Sequence, residues 1–423
     1  MSTLPMSALW RHPDFVKLWA GQAVSQIGAQ VSFLALPLVA AIALDASPVQ
    51  MGLLTAAGAA PDLIVGLHAG ALVDRHRRRP ILVGGDLGRA ALLGLIPLAW
   101  AVGALSIGFL YAVVLLTGAL SLFFDLAYQA YLPTLVPRER LVDGNAKMKL
   151  SRTAAEIVGP GLAGGLIQLL TAPIAIALDA GSYLVSALFI ARIRTPEPAP
   201  ARQDGAVRMW PEIREGLGVV FGDARLRSLV VGRGIVALFN AMLEAVFVLY
   251  ITRVLGLGPA LIGIIFAVGS VGFLIGALLP ERLSSRIGLG PAMAGGVTLV
   301  ALSDLVVPLA TGSHAIVVPL LVLAQFFFGL GLTVFNVNQV SLRQAIVPDA
   351  LRGRAGAVVR VILAGMVPLG AVLGGALGET IGVRETLLLA AAGELGAAMW
   401  LWFSPVGRLR TLPAVANAPA PPG

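Results

Sequence analysis

Apolar residues run in long blocks from Phe15 to Pro405, broken by short polar connectors, with no long polar segment between them. A helix that crosses hydrocarbon needs about 20 mostly apolar residues, because every backbone N–H and C=O must be satisfied within the segment. The blocks predict six spans in the first half, over 15–44, 50–73, 81–102, 107–131, 148–171 and 173–192. Six more follow, over 228–252, 259–280, 291–311, 315–340, 355–380 and 384–405. The predicted fold class is an all-α membrane protein of twelve transmembrane helices in two six-helix halves, 1–192 and 228–405. Residues 193–227 read as a cytoplasmic linker, first Pro-rich (Thr195-Pro-Glu-Pro-Ala-Pro) and then a short surface helix from Trp210 to Phe221. Residues 406–423, ending in a Pro- and Ala-rich run, read as a disordered cytoplasmic tail. The basic start and the Ala-x-Ala near Ala41 imitate a signal peptide, but the apolar stretch exceeds the roughly 7 to 15 residues of a signal core and is kept as span 1.

One offset of 211 residues aligns the two halves. It sets Gly52 on Gly263, Gly58 on Gly269, Arg75 on Arg286, Pro137 on Pro348, Gly159 on Gly370 and Gly164 on Gly375. Halves with six spans each have the same orientation, so they are parallel repeats about an axis along the membrane normal, and a pathway between them is the expected consequence.

Composition supports the bilayer as solvent: 57% of residues are hydrophobic and only 12% charged, against roughly 25% charged in soluble domains. The net charge of +8 does not indicate nucleic acid, since the Arg residues are scattered over connectors without a basic face or interleaved aromatics. Charge placement sets orientation instead. With both termini cytoplasmic, the outer loops hold only Arg253 and Arg384 of the 30 Lys and Arg residues, as the positive-inside rule requires. The chain has no Cys, and its four His (His12, His68, His76, His314) have no metal-ligand spacing. No phosphate loop, nucleophile elbow or paired catalytic constellation is present, so neither an enzyme nor a cofactor is expected.

After span 2 the chain reads Gly70-Ala-Leu-Val-Asp74-Arg75-His-Arg-Arg78-Arg79. This resembles the G-x-x-x-D-R-x-x-R-R loop of the major facilitator superfamily, and the resemblance implies a cytoplasmic gate in which the acid and the arginines latch the halves. Asp86, Arg89 and Arg152 are expected to join that gate. The second half has a degenerate copy, Pro280-Glu-Arg-Leu-Ser-Ser285-Arg286, with Ser285 opposite Asp74. Span 5 carries Gly159-Pro160-Gly161-Leu-Ala-Gly164-Gly165, similar to the G-P-x-x-G-G signature common in antiporters of that superfamily. Small residues there permit close helix approach and the proline perturbs the hydrogen-bond ladder; plain helix packing would use the same glycines. Leu18-Trp-Ala-Gly-Gln, Gly84-Gly-Asp86-Leu-Gly-Arg89-Ala, Leu132-Pro-Thr-Leu-Val-Pro137 and Leu178-Asp179-Ala-Gly-Ser-Tyr resemble the exporter branch that includes enterobactin-type siderophore exporters and macrolide efflux proteins. Many members have an acid after the span 1 glycine, where this chain reads Gly28-Ala29-Gln30.

Ionisable residues inside spans cost on the order of 3 kcal/mol on insertion scales and usually face a cavity or a partner. Asp125 lies on a span 4 stripe with Ser121, Tyr128 and Gln129, and the repeat sets Asn336 opposite Asp125 and Gln339 opposite Tyr128. Gln22, Ser25, Gln26 and Gln30 form a neutral polar face on span 1, and span 7 offers Asn240 and Glu244. Asp125, Glu244 and Glu156 are the candidate proton-coupling acids, although Glu156 also stands at ion-pair spacing from Arg152. Phe124, Tyr128, Phe239, Phe266 and Phe335 are candidate apolar contacts in a cavity lined by spans 1, 4, 5, 7, 8, 10 and 11. Asp62, Asp304 and Glu394 receive no role, and Asp179 is expected to bond locally.

The resemblance implies a monomeric secondary transporter of the bacterial inner membrane, exporting a small amphipathic or hydrophobic molecule by proton antiport. An uncoupled facilitator, importer or lipid carrier stays open, as does a non-transporting receptor or scaffold.

Overall fold

A computed structural model describes residues 6–197 and 209–413. Helices α1 (Pro13–Leu38), α2 (Pro48–Ile64), α3 (Gly66–Asp74), α4 (Arg78–Ala101), α5 (Ile107–Leu135), α6 (Leu141–Leu170) and α7 (Ala172–Ala191) make the first half. After α8 (Met209–Gly222), the second half consists of α9 (Ala224–Leu249), α10 (Pro259–Gly269), α11 (Val271–Leu278), α12 (Pro280–Ile287), α13 (Leu289–Leu309), α14 (His314–Ile346), α15 (Arg352–Thr380) and α16 (Val383–Phe403). Among the described residues eleven helices are long and apolar enough to cross a membrane, and twelve if α2 and α3, bent by 59°, form one span. Exposed Leu98, Val102, Leu169 and Phe403 fit hydrocarbon as the surrounding solvent.

The helix starts are written locally. Pro13 and Pro48 occupy first-turn positions where an N–H has no helical partner anyway. Ser47 and Gln50 form a capping box: the Ser47 hydroxyl accepts from the Gln50 N–H at 3.4 Å, and the Gln50 side-chain oxygen accepts from the Ser47 N–H at 2.9 Å. His12 caps α1 through Nδ1, which accepts from the Phe15 N–H at 3.2 Å. Asp223 caps α9 in the same way, accepting from Arg225 and Leu226.

Those two caps stand at one repeat position, and the offset of 211 recurs throughout the backbone. The π-turn Val39–Ala43 that ends the first span reappears at Tyr250–Val254, and the 3₁₀ turn Arg138–Arg140 at Asp349–Leu351. Left-handed Asp45 (φ 46°) and Thr171 (φ 77°) stand opposite Gly256 (φ 66°) and Gly382 (φ 104°).

The chain divides into two compact units. Unit 1 is Met1–Asp204 with Gly256–Ala267, and unit 2 is Gly205–Leu255 with Val268–Gly423. The core of unit 1 contains Phe15, Leu18, Leu82, Phe124, Tyr131 and Met148; that of unit 2 contains Leu229, Val236, Met293, Val297, Phe335 and Leu401. The sequence reading differs at three places. The later part of the expected linker is a built piece of unit 2, since Val220 of α8 shares a buried cluster with Leu226, Val230, Val358 and Val359, and Glu215 pairs with Arg354 at 2.6 Å. Most of α10 groups with unit 1, because Gly164 and Gly263 bring the α6 and α10 backbones into contact. The expected tail begins later: Val406 is buried, and the Leu409 and Arg410 carbonyls accept from the Gly290 and Leu289 N–H groups. The disorder expected at 414–423 lies outside the described residues, as do residues 198–208 of the expected linker, with the end of its Pro-rich stretch.

Thr171 has φ 77° and ψ 155°, a region occupied almost solely by glycine, whereas its repeat partner is Gly382. Relief of the strain outweighs the added flexibility of glycine in the unfolded chain. Thr171→Gly is expected to stabilise the protein by roughly 1 kcal/mol, seen as a higher midpoint in thermal unfolding, while Gly382→Thr lowers it.

Candidate functional site

The polar stripe of α5 sits among charges supplied by three other helices of unit 1. Asp125 is exposed, with Arg89 of α4, Arg152 of α6 and Asp62 of α2 within electrostatic reach. Arg152 pairs with Glu156 one turn along α6 at 2.9 Å, and both side chains remain solvent-accessible (61% and 42%). One guanidinium therefore serves a bonded carboxylate and the field of a second. Tyr128, one turn from Asp125, stacks on Phe124 with centroids 6.5 Å apart and planes 6° from parallel, while Gln129 is exposed. Phe124 itself is buried in the core and does not line an accessible wall as expected, so the stripe offers an acid, the half-buried Tyr128 ring and an amide.

Deeper in the unit is a dry ionic network. Asp86 is fully buried and accepts from Arg89 at 2.5 Å. The Arg89 guanidinium lies between two rings, 4.2 Å from the centroid of Phe124 and 4.3 Å from that of Tyr183, and also donates to Ser121 at 3.4 Å. A desolvated cation on an aromatic face gains roughly 2 kcal/mol, and here two faces share it. Asp179, fully buried on α7, accepts from Ser182 on its own helix and from Ser32 of α1. A Cβ on Gly28 would lie 2.1 Å from the Ser182 hydroxyl and 2.5 Å from Asp179, so glycine is required for α1 to reach this network. The sequence placed Asp86 and Arg89 in the loop gate; they join α4, α5 and α7 inside the unit instead.

The loop residues themselves divide. Asp74 and Arg75 are exposed. Gly70 has open space around it. Arg78 and Arg79 are anchored by Glu197, whose carboxylate accepts from both their backbone N–H groups at 2.6 and 3.2 Å, capping α4 where an anion is favoured. Arg79 also donates to the Ile190 and Ala191 carbonyls at the end of α7. Asp14 does matching work nearby, accepting from Lys17 and from Arg194 and Thr195. Sequence reasoning missed Asp14 and Glu197; the only signal was an acid in the first turn of span 1 and one acid in the Pro-rich connector.

The glycines of α6 contact specific partners. A Cβ on Gly159 would meet Gln30 of α1 at 2.4 Å, one on Gly161 would touch Ala267, and one on Gly164 would lie 2.5 Å from the Pro259 carbonyl oxygen and 2.8 Å from the Gly263 Cα. Gly165 faces open space, and Pro160 is buried within the helix. On α1, Gln22 and Ser25 are buried, and Gln26 is half-buried with a side-chain oxygen lacking a partner. Phe33 meets Phe266 edge-on at 6.3 Å.

In unit 2, Glu244 is exposed, whereas Phe335 is completely buried in the core beside the Arg233 guanidinium and so does not line an accessible wall. Gln339 is buried, and Asn336 is half-buried with an unpaired oxygen. Phe239 packs at Gly393 of α16, and Asn240 approaches Glu394 of the same helix. Among the described residues no group of three His, Asp or Glu converges as a metal site.

Two register-related sets of spans, with acids and arginines buried within the helix packing of each unit, define a membrane transporter of the major facilitator type. The sequence matches the family model described as transmembrane secretion effector over residues 5–422, and the chain belongs to that family of transporters; it is not an enzyme. It is 24% identical over 375 residues to macrolide efflux protein A of Streptococcus pyogenes, covering 89% of this chain and 92% of the relative. To the multidrug efflux pump Tap of Mycolicibacterium fortuitum it is 29% identical over 357 residues, covering 82% and 83%. The crystal structure of the nucleoside transporter NupG shares the fold at a TM-score of 0.74 and 14% identity, over 92% of this chain and 98% of that one.

Removing one partner of a buried ion pair strands the other charge. Asp86→Ala should cost roughly 3 kcal/mol in unfolding stability, and Asp86→Ala with Arg89→Met should recover much of that loss. At the α6–α10 contact the expected signs are opposite for neighbours: Gly164→Ala destabilises by about 1 to 3 kcal/mol through backbone overlap, whereas Gly165→Ala is neutral or stabilising. Thermal unfolding of the purified variants reads both.

Proposed function

We propose that this transporter exports a small amphipathic or hydrophobic molecule by alternating access, exchanging it for protons through Asp125. The observation that carries the reading is the accessible acid of α5 within reach of Arg89, Arg152 and Asp62, next to the stacked Phe124 and Tyr128. An accessible carboxylate can hold a proton or a cationic ligand in turn. The Arg152–Glu156 pair supplies an alternative partner for the guanidinium when Asp125 is neutral. Export as the direction is supported by the efflux names of the two relatives and by the Gly159-Pro160-Gly161 segment and Gly164-Gly165 in α6. The neutral amides Gln26 and Gln30 and the aromatic side chains suit a ligand with few charges.

The proton gradient is then the energy source, without a cofactor. Both termini lie on the cytoplasmic side of a bacterial inner membrane, and the working unit is the monomer. The exposed loop residues Asp74 and Arg75 serve the gate, and Glu244 is the second coupling acid.

The test is efflux of a macrolide and of a lipophilic cationic dye from proteoliposomes with an imposed pH gradient. Asp125→Asn is expected to lower gradient-driven flux by tenfold or more while substrate exchange without a gradient persists, with a smaller loss for Glu244→Gln. Undiminished gradient-driven efflux in the double variant excludes the coupling assignment.

A further inference from the structure

Two acids left without a role by the sequence meet inside unit 2. Asp304 on α13 is 6% exposed and Glu394, in the middle of α16, is 0% exposed. Their side chains lie in hydrogen-bonding contact, and the Asn240 side chain of α9 lies alongside Glu394. Helices α13 and α16 pack directly on one another, as do α16 and α9. One turn from the acids along their own helices stand small and aliphatic residues, Val300, Ala301, Ala390, Ala391, Ala397 and Ala398, all buried.

Three carboxyl oxygens of the pair, Oδ2 of Asp304 and both Oε atoms of Glu394, are buried without any N–H or O–H of the described residues donating to them. The Asn240 side chain approaches Glu394 from α9. Among the described residues, Arg233 of α9, Arg343 of α14, Arg360 of α15 and Arg384 of α16 exert no charge interaction on either acid, and neither does the carboxyl of Glu244. A carboxylate accepts hydrogen bonds and cannot donate one, so two acid groups in contact are joined only by a hydrogen that neither heavy-atom skeleton supplies. Like charges that close, away from water, repel too strongly for both to be ionised.

The repeat gives an independent reason to regard the pair as more than packing. The offset of 211 sets Leu93 opposite Asp304 and Tyr183 opposite Glu394, so the first half closes the same helix contact without an acid at either position. Replacing a buried polar pair by apolar groups is commonly neutral or stabilising, so packing alone does not account for two carboxyls here.

We propose that Asp304 and Glu394 form a proton-binding site in the second half, holding one proton between their carboxyl oxygens, with Asn240 completing the site from α9. A metal or sodium ion does not suit the geometry, since a cation needs several oxygens at about 2.4 Å each and would hold the carboxylates apart. The site is built within unit 2, on helices α13 and α16, and stands whether or not transport is driven by protons.

Infrared difference spectroscopy of the full chain in lipid nanodiscs at neutral pH tests it. Subtracting the Asp304→Asn/Glu394→Gln double variant from the wild type should leave the carbonyl stretch of a protonated carboxylic acid, shifted downward in deuterated water. Should the double variant not fold, each single variant gives the same subtraction, because its amide N–H replaces the shared proton. A difference spectrum with carboxylate bands alone overturns the proposal, and a spectrum that changes when sodium is replaced by a bulky organic cation assigns the site to a metal ion instead. The same samples in the efflux assay separate this site from Asp125: wild-type flux in Glu394→Gln leaves the proton site standing as a structural one, provided the carbonyl band is lost.

Discussion

A transmembrane helix satisfies its own backbone but not its polar side chains, and hydrocarbon offers them nothing. That constraint organises this molecule. A polar side chain within a span gains by finding a partner on another helix, which ties helices together at particular heights. Arg89 binds Asp86 on its own helix but also reaches Ser121 on α5 and the ring of Tyr183 on α7. Asp179 joins α7 to α1 through Ser32, and Trp19 joins α1 to α6 by donating to Ser151 at 2.7 Å. Where no polar bond is made, glycine brings backbones close enough for dispersion to serve, as at Gly164 and Gly263.

The division of labour between the halves follows from the same constraint. Duplication copied the backbone with its register intact, down to turns and caps, while polar groups diverged. Unit 1 acquired arginines with acids beside them, some open and some dry. Unit 2 pairs Glu215 with Arg354 at its surface, while the acids buried in its spans, Asp304 and Glu394, meet each other. A duplicated scaffold can carry different chemistry in its two copies because the packing contacts and the polar contacts use different positions.

The spans, the repeat and its offset were legible because hydrophobic blocks and glycine positions are set by local rules. The breaks inside span 2 at Val65 and inside span 8 at Ser270 were less so; beside the second, Gly269 lies against Gln325 and Gly272 against the Phe326 carbonyl, contacts that spacing along one helix does not reveal. At the site, periodicity put Ser121, Asp125 and Tyr128 on one stripe and Arg152 with Glu156, both of which the geometry brings together. It could not foresee that Asp86 and Arg89 turn inward, that Phe335 is core, or that Asp304 and Glu394 meet. Those depend on which helices are neighbours, and sequence spacing within one helix carries no information on that. Glu197 was invisible for a related reason, since it acts on backbone N–H groups 119 and 118 residues away.

The π-turns at Val39–Ala43 and Tyr250–Val254 have a historical meaning. Such a turn is one residue inserted into an α-helix, and it rotates every side chain beyond it by about 100° relative to an uninterrupted helix. Finding the insertion at the same place in both copies is most simply read as one event in a six-helix ancestor, inherited twice. The glycine-versus-threonine difference at the later turn, by contrast, arose after the copies separated. The chain thus preserves an order of events: the C-terminal end of the leading helix was reshaped first, before the duplication, and the side chains that now distinguish the halves came afterwards.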